Sequence, residues 1–466
     1  MAELAASAAK VIPLRPYQEE AIRRVRTEMA SPPRGRGHRR VALVLPTGSG
    51  KTRTAAAIVA GALAKGTRVL WLAHRAELVE QACRTLEGFG IRCGAVAAAS
   101  SRRPDPDAPC QVASIQTLLA RETHRPPAQL LVWDEVHHCS EAAACWSGLL
   151  DAYNGVPIVG LTATPERGDG AGLAPLFDGL VAGATARQLT ADGHLVPCDV
   201  IRPRHLLQPG QIAQGPLEAY RAHGLDSAGR GRPAILFART VEEATTYAAA
   251  FTAGGFRAET ITALTPQGVR DQALEAFRRG LVRVLCNVYV LTEGTDLPSA
   301  EVCVLARGAG TAGIFLQMVG RVLRPAPGKA SALLLDLRGI TYVHGMPEDE
   351  RIYSLEGRGI SRAQEAHCIV CSALLEGGYP CGACGYAPTQ AETAETVVTG
   401  EPLVKFARKI AEGPVQRWET LLRWVDQCVA RGWKLGSVRY KWKAVYSEDL
   451  PFETLMKAAQ EVRNGH

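Results

Sequence analysis

Two short runs in this chain have residue types and spacings suited to phosphate chemistry. In "VALVLPTGSGKTRTAA", residues 41–56, an apolar run enters a glycine-rich turn and leaves it as a helix-forming alanine run. Thr47, Gly48, Ser49 and Gly50 form the turn, whose glycines let backbone N–H groups point inward around an anion while the following helix presents its N-terminus to it. Lys51 would bind the outer phosphates and the Thr52 hydroxyl would hold magnesium. The strict pattern asks for glycine at position 45, where this chain has Leu45. The second run is "LLVWDEVHH", residues 130–138, an apolar strand ending in two adjacent carboxylates. Asp134 would reach magnesium through water and Glu135 would polarise an attacking water, since phosphoryl transfer is mostly positioning and charge stabilisation. The alternatives are an unliganded strand-to-helix turn and a solvated strand end, and the presence of both runs in this order argues against them.

A third cluster has metal-ligand spacing. Of thirteen cysteines, Cys368, Cys371, Cys381 and Cys384 crowd into a Cys-x2-Cys, nine-residue, Cys-x2-Cys pattern that can place four thiolates tetrahedrally around zinc. An iron–sulfur cluster or a redox pair is the alternative. The odd cysteine total argues against a disulfide framework. Near the C-terminus, "GWKLGSVRYKWKAVY" interleaves aromatics with basic residues, among them Lys441 and Lys443. Such a segment can stack on bases and neutralise phosphates, or its rings can form a small core of their own.

These clusters need elements to position them. From residue 41 to 164, apolar runs ("VALVLP", "RVLWLA", "CQVAS", "LLVWDE", "IVGLTAT") alternate with helix-like stretches, and the rhythm repeats after Arg232 with "PAILFA", "AETITA", "VRVLCNV", "EVCVLAR" and "SALLLDL". Apolar strands interleaved with amphipathic helices read as parallel sheets covered on both faces. At 466 residues, two or three domains are expected. The Pro- and Gly-bearing "RPRHLLQPGQIAQGP" reads as an irregular segment near the junction, and "YAPTQAETAETVVTGEP", which has no Lys or Arg, reads as a linker. The formal charge of +7 is compatible with a polyanionic partner. With no long apolar run and no secretory layout at the start, a cytoplasmic protein with no membrane association is expected.

The motifs together resemble those of superfamily 2 helicases of the DExH kind, in order from residue 14 to 325. "LRPYQ" is similar to the adenine-reading element, which implies that Gln18 contacts the base edge with Arg15 or Tyr17 near it. "AHRAELVEQ" and "SIQTL" resemble elements that touch the nucleic-acid backbone, implying roles for Arg75, Ser114, Gln116 and Thr117. "LTATP" is similar to the element that couples hydrolysis to strand movement, and His137 matches the histidine of the DExH box. "ILFART" implies a backbone contact at Thr240, and "LTEGTDLP" implies that Gly294 and Asp296 approach the nucleotide. "QMVGRVLRP" puts Gln317, Arg321 and Arg324 at i, i+4 and i+7 on one helical face, aimed across a cleft at the phosphates.

The resemblance implies two tandem RecA-like domains, at 1–188 (ATP-binding) and 189–356. They would be followed by a four-cysteine zinc module at 357–387, a linker at 388–402 and a mostly helical basic, aromatic accessory domain at 403–466. A weaker similarity, of motif order and tail, is to RadD-like bacterial repair helicases and phage-encoded helicases. The implied activity is that of an ATP hydrolase using ATP, Mg2+ and Zn2+ and working on single-stranded or branched DNA in replication, recombination or repair. It would be nucleoid-associated in a bacterial or phage-infected cell, with protein partners reached through the zinc module and tail. The alternatives are an RNA helicase and a DNA-stimulated ATPase switch or recruitment subunit that does not unwind.

Overall fold

In a computed structural model of the chain, the residues described are 13–33, 39–98, 100, 102–121, 125–140, 143–167, 172–208, 210–292, 295–356, 396–406, 421–422, 425, 438 and 451–464. The strands of the first half are β1 (Arg40–Val44), β2 (Val69–Ala73), β3 (Cys93–Val96), β4 (Cys110–Ser114), β5 (Leu130–Trp133), β6 (Ile158–Thr162) and β7 (Gly179–Ala182). They form one seven-stranded sheet in the order β3-β4-β2-β5-β6-β1-β7, with every neighbour parallel. β1, β2, β4, β5 and β6 are buried at every position, as continuous apolar runs covered on both faces must be. The cover is α1 (Pro16–Ala30), α2 (Lys51–Leu63), α3 (Ala76–Gly88), α4 (Ile115–Ala120) and α5 (Ala143–Ala152). Trp71 and Trp133 are both fully enclosed within this layered core.

α6 (Ala186–Ala191) follows, opened by a Thr185–Gln188 capping box, and its Leu189 packs into the second core. The second sheet is built from β8 (Cys198–Pro203), β10 (Ala234–Phe237), β11 (Ala258–Ile261), β12 (Val284–Asn287), β13 (Val302–Leu305), β14 (Ala332–Asp336) and β16 (Leu403–Phe406). Its order is β11-β12-β10-β13-β14-β8-β16, parallel from β11 through β8. Its helices are α7 (Pro216–His223), α8 (Val241–Ala253), α9 (Gln267–Arg278), α10 (Ala312–Gly320) and α11 (Thr341–His344). A separate two-stranded parallel pair joins β9 (Gln211–Ile212) to β15 (Val397–Val398).

Three sequence expectations are corrected. The "RPRHLLQPGQIAQGP" segment is not irregular throughout: Arg202 and Pro203 end β8, and Gln211–Ile212 is β9. β8 escaped notice because Asp199 and Arg202 interrupt its apolar character. Arg202 is buried all the same, with its guanidinium over the Tyr342 ring at 3.8 Å and a hydrogen bond to Thr341 Oγ1 at 3.1 Å. Residues 396–405, expected as linker and as the start of the accessory domain, carry regular structure. They add β15 and β16 to the second half by backbone pairing, which needs no apolar period, and Lys405 pairs with Asp199 at 3.0 Å.

A compact C-terminal unit spans Phe406–His466. Within it, α12 (Phe452–Asn464) is an amphipathic helix whose Leu455, Ala458 and Ala459 are buried. The cysteine quartet, Lys441, Lys443 and the four tail tryptophans lie outside the described residues. Among the described residues no helix is long and apolar enough to cross a membrane.

Candidate active site

The phosphate loop leaves β1 at the carboxyl edge of the first sheet, where open parallel sheets hold ligands. Gly48 and Gly50 have φ of 85° and 81°, the left-handed region that favours glycine. Space is also short: a Cβ on Gly50 would lie 2.9 Å from the Gln18 amide nitrogen. The Thr47 and Ser49 hydroxyl oxygens are buried and have no hydrogen-bond partner, an unmet demand in the cradle itself.

The N-terminus of α1 is clamped onto this loop. The Tyr17 hydroxyl donates to the Ser49 carbonyl, and Gln18 Nε2 donates to the carbonyls of Ser49 and Gly50, both at 3.4 Å. Gln18 Oε1 accepts from Arg15 N at 3.0 Å and the side chain is 1% exposed. Gln18 therefore spends its amide on the loop backbone in this structure, while Arg15 lines the adjoining cavity.

Asp134 and Glu135 follow β5 beside the loop. Glu135 has φ of 51°, a strained conformation for a residue with a long side chain, of the kind that persists where a site over-determines it. Its Oε1 lies 3.8 Å from Lys51 Nζ, and its Oε2 lies 3.4 Å from His137 Nδ1. The Asp134 carboxylate accepts from the Glu135 backbone N–H at 3.1 Å. Lys51, Thr52, Asp134 and Glu135 line one cavity of about 530 Å³, which Asp296, Arg321 and Arg324 close from the second half. Thr52 and Asp134 are the hard oxygen donors that magnesium takes, in the small number it uses when phosphates supply the rest. Among the described residues no group of three or more His, Cys, Asp or Glu could hold a metal by itself.

The second half meets the first directly. Gln317, on α10, has its Nε2 2.9 Å from His137 Nε2. His137 Nδ1 is 3.1 Å from Thr162 Oγ1, and that hydroxyl donates to the Thr164 carbonyl at 2.5 Å while accepting from Thr164 N at 3.1 Å. The Thr162 proton is thereby committed, so His137 must donate from Nδ1 and accept at Nε2 from the Gln317 amide. One chain of hydrogen bonds thus joins "QMVGRVLRP", the DExH box and "LTATP". Gly320 allows the approach: a Cβ there would sit 2.5 Å from Thr47 Cβ.

The expected single helical face of Gln317, Arg321 and Arg324 is corrected. α10 ends at Gly320, Arg321 is its C-cap, and Arg324 lies beyond the helix. Pro325 is the reason for Arg324, because a residue before proline is pushed out of the α region. Arg321 instead fixes its fork on the preceding loop, donating to Thr292 O at 2.6 and 3.0 Å and to Thr295 O at 2.7 Å. Arg324 is ion-paired with Asp296. Gly294 lies outside the described residues.

The expected backbone-contacting residues have mixed fates. Arg75, the exposed N-cap of α3, lines a second cleft of about 830 Å³ that Gln267, Arg270 and Thr295 line from the other half. Arg270 and Glu77 bridge that cleft at 3.2 Å. The Ser114 hydroxyl donates to Gln116 Oε1 at 2.9 Å, and Gln116 Nε2 donates to the His74 carbonyl at 2.8 Å. Thr117 is buried, accepting from Ala98 N at 3.1 Å, and the Thr240 hydroxyl caps α8 by accepting from Glu243 N at 3.1 Å.

Sequence reasoning missed His194, which lines the cavity 5.2 Å from the Tyr17 ring. It also missed Lys329, whose buried ammonium donates to the carbonyls of Pro298, Ala300 and Arg324 at 3.0, 2.5 and 2.8 Å. Burial pushes that lysine down to about 8. Neither residue sits in a motif, and only its place in the fold marks it.

Residues 11–167 match the family model described as type III restriction enzyme, res subunit, and residues 217–326 match the helicase conserved C-terminal domain. A 51.5 kDa protein of a Lactococcus phage is 29% identical over 366 residues, covering 73% of this chain and 76% of that protein. Schizosaccharomyces pombe irc3, named for a mitochondrial ATP-dependent helicase, is 30% identical over 356 residues, covering 69% of this chain. The chain spans only 57% of the length of that yeast protein. The solved structure of the ATP-dependent type ISP restriction-modification enzyme LlaBIII bound to DNA superposes with a TM-score of 0.53 at 18% identity, over 70% of this chain and 28% of that one.

Proposed function

Because this chain belongs to the superfamily 2 helicases of the DExH kind, we propose that it couples ATP hydrolysis in the interdomain cleft to movement along, or remodelling of, DNA. The observation that carries the reading is the shared cavity: Lys51, Asp134 and Glu135 come from one sheet, Arg321 and Arg324 from the other, and the Gln317–His137 hydrogen bond joins the two. Lys51 and the loop N–H groups bind the outer phosphates, with Thr52 and Asp134 holding magnesium, which neutralises phosphate charge when bound. Glu135 orients and polarises the attacking water, and the arginines stabilise charge on the departing phosphoryl group. Contacts that exist only when both halves meet make hydrolysis depend on closure, and opening relaxes the grip of each half on its track.

DNA is the proposed track because the superposed LlaBIII structure holds DNA and the "LRPYQ" and "LTATPER" elements resemble DNA-acting branches. Grips on phosphates carry little sequence preference and weaken with salt. The reading includes a role in replication, recombination or repair. ATP-dependent strand displacement on a fork, flap or overhang tests it. Displacement is expected on at least one of these, and DNA-stimulated hydrolysis with no displacement on any would favour a switch or recruitment subunit instead.

The four-cysteine pattern supports a structural zinc at Cys368, Cys371, Cys381 and Cys384, filled by four protein ligands and without an open position for catalysis. The purified protein is expected to carry one zinc per chain. Replacing Cys381 and Cys384 by serine should release it and destabilise residues 357–387, because metal binding and local folding are coupled. Wild-type protein without zinc by metal analysis would rule the site out, and iron with sulfide would mark a cluster instead.

A further inference from the structure

Arg324 lies beyond the end of α10, so a loop rather than a helix must set its place in the cavity. The sequence after "QMVGRVLRP" is "APGK", residues 326–329. Pro327 and Gly328 are the residue types that a type II turn takes at its two central positions, and Gly328 has φ of 77°. Lys329 N closes the turn by donating to the Ala326 carbonyl at 3.1 Å. The chain thereby doubles back, and the Lys329 side chain meets the backbone of Arg324, five residues earlier.

The Lys329 ammonium has three N–H donors and spends each on a main-chain carbonyl. Ala300 accepts at 2.5 Å, Arg324 at 2.8 Å and Pro298 at 3.0 Å. Pro298 and Ala300 belong to the segment that follows Asp296, where Ala300 N donates to Leu297 O at 3.1 Å. Asp296 is itself ion-paired with the Arg324 side chain. The two segments that reach the cavity from the second sheet are thus joined twice, by side chains at the cavity and by Lys329 through their backbones. Asp296 is exposed, so solvent screens its ion pair, and the half-buried lysine is the firmer tether.

The tether depends on charge. A neutral amine has only two N–H groups and donates less strongly, so deprotonation would leave one of the three carbonyls unserved. Withdrawal from solvent lowers Lys329 to about 8, and the positive charges of Arg232 and Arg324 act in the same direction. Glu301 and Cys198 oppose them, but Glu301 is already engaged by Arg232 at 2.7 Å. The ammonium form therefore prevails below about pH 8 and is lost as pH rises through that value.

We propose that Lys329 is a positioning residue for ATP hydrolysis, holding the Arg324 backbone against the Pro298–Ala300 segment so that the guanidinium meets the departing phosphoryl group. The proposal rests on the reading above that ATP is hydrolysed in this cavity and that Arg324 acts on the transition state. Because Lys329 acts through Arg324, its loss lowers kcat and leaves KM nearly unchanged.

The test is steady-state ATP hydrolysis by the full chain with magnesium, from about pH 6.5 to 9.5, with kcat and KM taken at each pH. Wild-type kcat is expected to fall as pH rises through about 8. Lys329→Met, which keeps the length and removes the donors, is expected to lower kcat by about tenfold at neutral pH with KM within about threefold, and to lack the alkaline fall. Lys329→Arg stays charged across this range and is expected to recover part of the rate, again without the alkaline fall. Adding Lys329→Met to Arg324→Ala is expected to cost less than about twofold more than Arg324→Ala alone. Wild-type kcat in Lys329→Met, or a full further tenfold loss in the double variant, would overturn the positioning role. Wild-type turnover in Arg324→Ala, or no hydrolysis by the wild type, would instead overturn the reading on which it rests. If thermal melts show that Lys329→Met does not fold, the wild type and Lys329→Arg carry the test. A flat wild-type kcat across the pH range, or an alkaline fall unchanged in Lys329→Arg, would then overturn the proposal.

Discussion

Glu135→Gln is expected to lower ATP turnover by roughly 10²- to 10⁴-fold while nucleotide binding persists. The substitution keeps the shape of a side chain that is 14% exposed and held between Lys51 and His137, at 3.8 and 3.4 Å. It removes the charge that polarises the attacking water. Lys51→Ala is expected to be equally inactive but through a different loss. It deletes the cation of the cradle, so nucleotide affinity falls as well as turnover, and it leaves the Glu135 carboxylate without its nearest ammonium. Steady-state hydrolysis paired with equilibrium binding of a nucleotide analogue separates the two. Turnover at the wild-type rate in either protein would remove these residues from the active site, and with them the assignment of the cavity.

Arg321→Ala is expected to reduce turnover more than ATP affinity, by up to the 10³- to 10⁵-fold associated with arginines supplied to phosphoryl transfer. The residue is 6% exposed and its fork is anchored on Thr292 and Thr295. Its loss therefore removes a charge and also loosens the loop that brings Asp296 to the cavity. Arg321→Lys distinguishes these effects, because an ammonium keeps the charge but cannot hold both carbonyls in the planar geometry of a guanidinium. If charge dominates, lysine restores much of the rate; if anchoring dominates, it resembles alanine. Arg324→Ala is expected to lower turnover less steeply, since its partner Asp296 is 63% exposed and the pair is screened by solvent. Equal KM increases with unchanged kcat in both alanine variants would mean that neither arginine acts in the transition state.

The motifs of the site were legible before the fold was. Gly48, Gly50 and Lys51 announce a phosphate cradle because few other uses need two left-handed positions ahead of a helix, and Asp134–Glu135 needs only an apolar strand before it. The strands that carry these residues were equally plain, being buried on both faces and uninterrupted. The parts that escaped have identifiable causes. β7 and β3 are four residues long and half-buried, so neither presents a full apolar run. β15 is exposed and joins its partner through backbone groups alone. The end of α10 at Gly320 was hidden because i, i+4 spacing continues past it in the sequence even though the helix does not. The seating of Gln18 against the phosphate loop, with its amide on the Ser49 and Gly50 carbonyls, was not legible either, because those residues are 31 and 32 positions away in the sequence.

The central claim is that hydrolysis at Lys51 and Glu135 is driven by contact with a DNA track. It is tested most directly by the steady-state ATPase rate of the intact chain, measured side by side without nucleic acid and with saturating single-stranded DNA, duplex, forked DNA and RNA. The account predicts a low rate alone, a rise of at least about tenfold with single-stranded or forked DNA, and a smaller rise with RNA, each suppressed by salt as phosphate contacts are lost. A rate unchanged by any DNA, or stimulated by RNA alone, would contradict it.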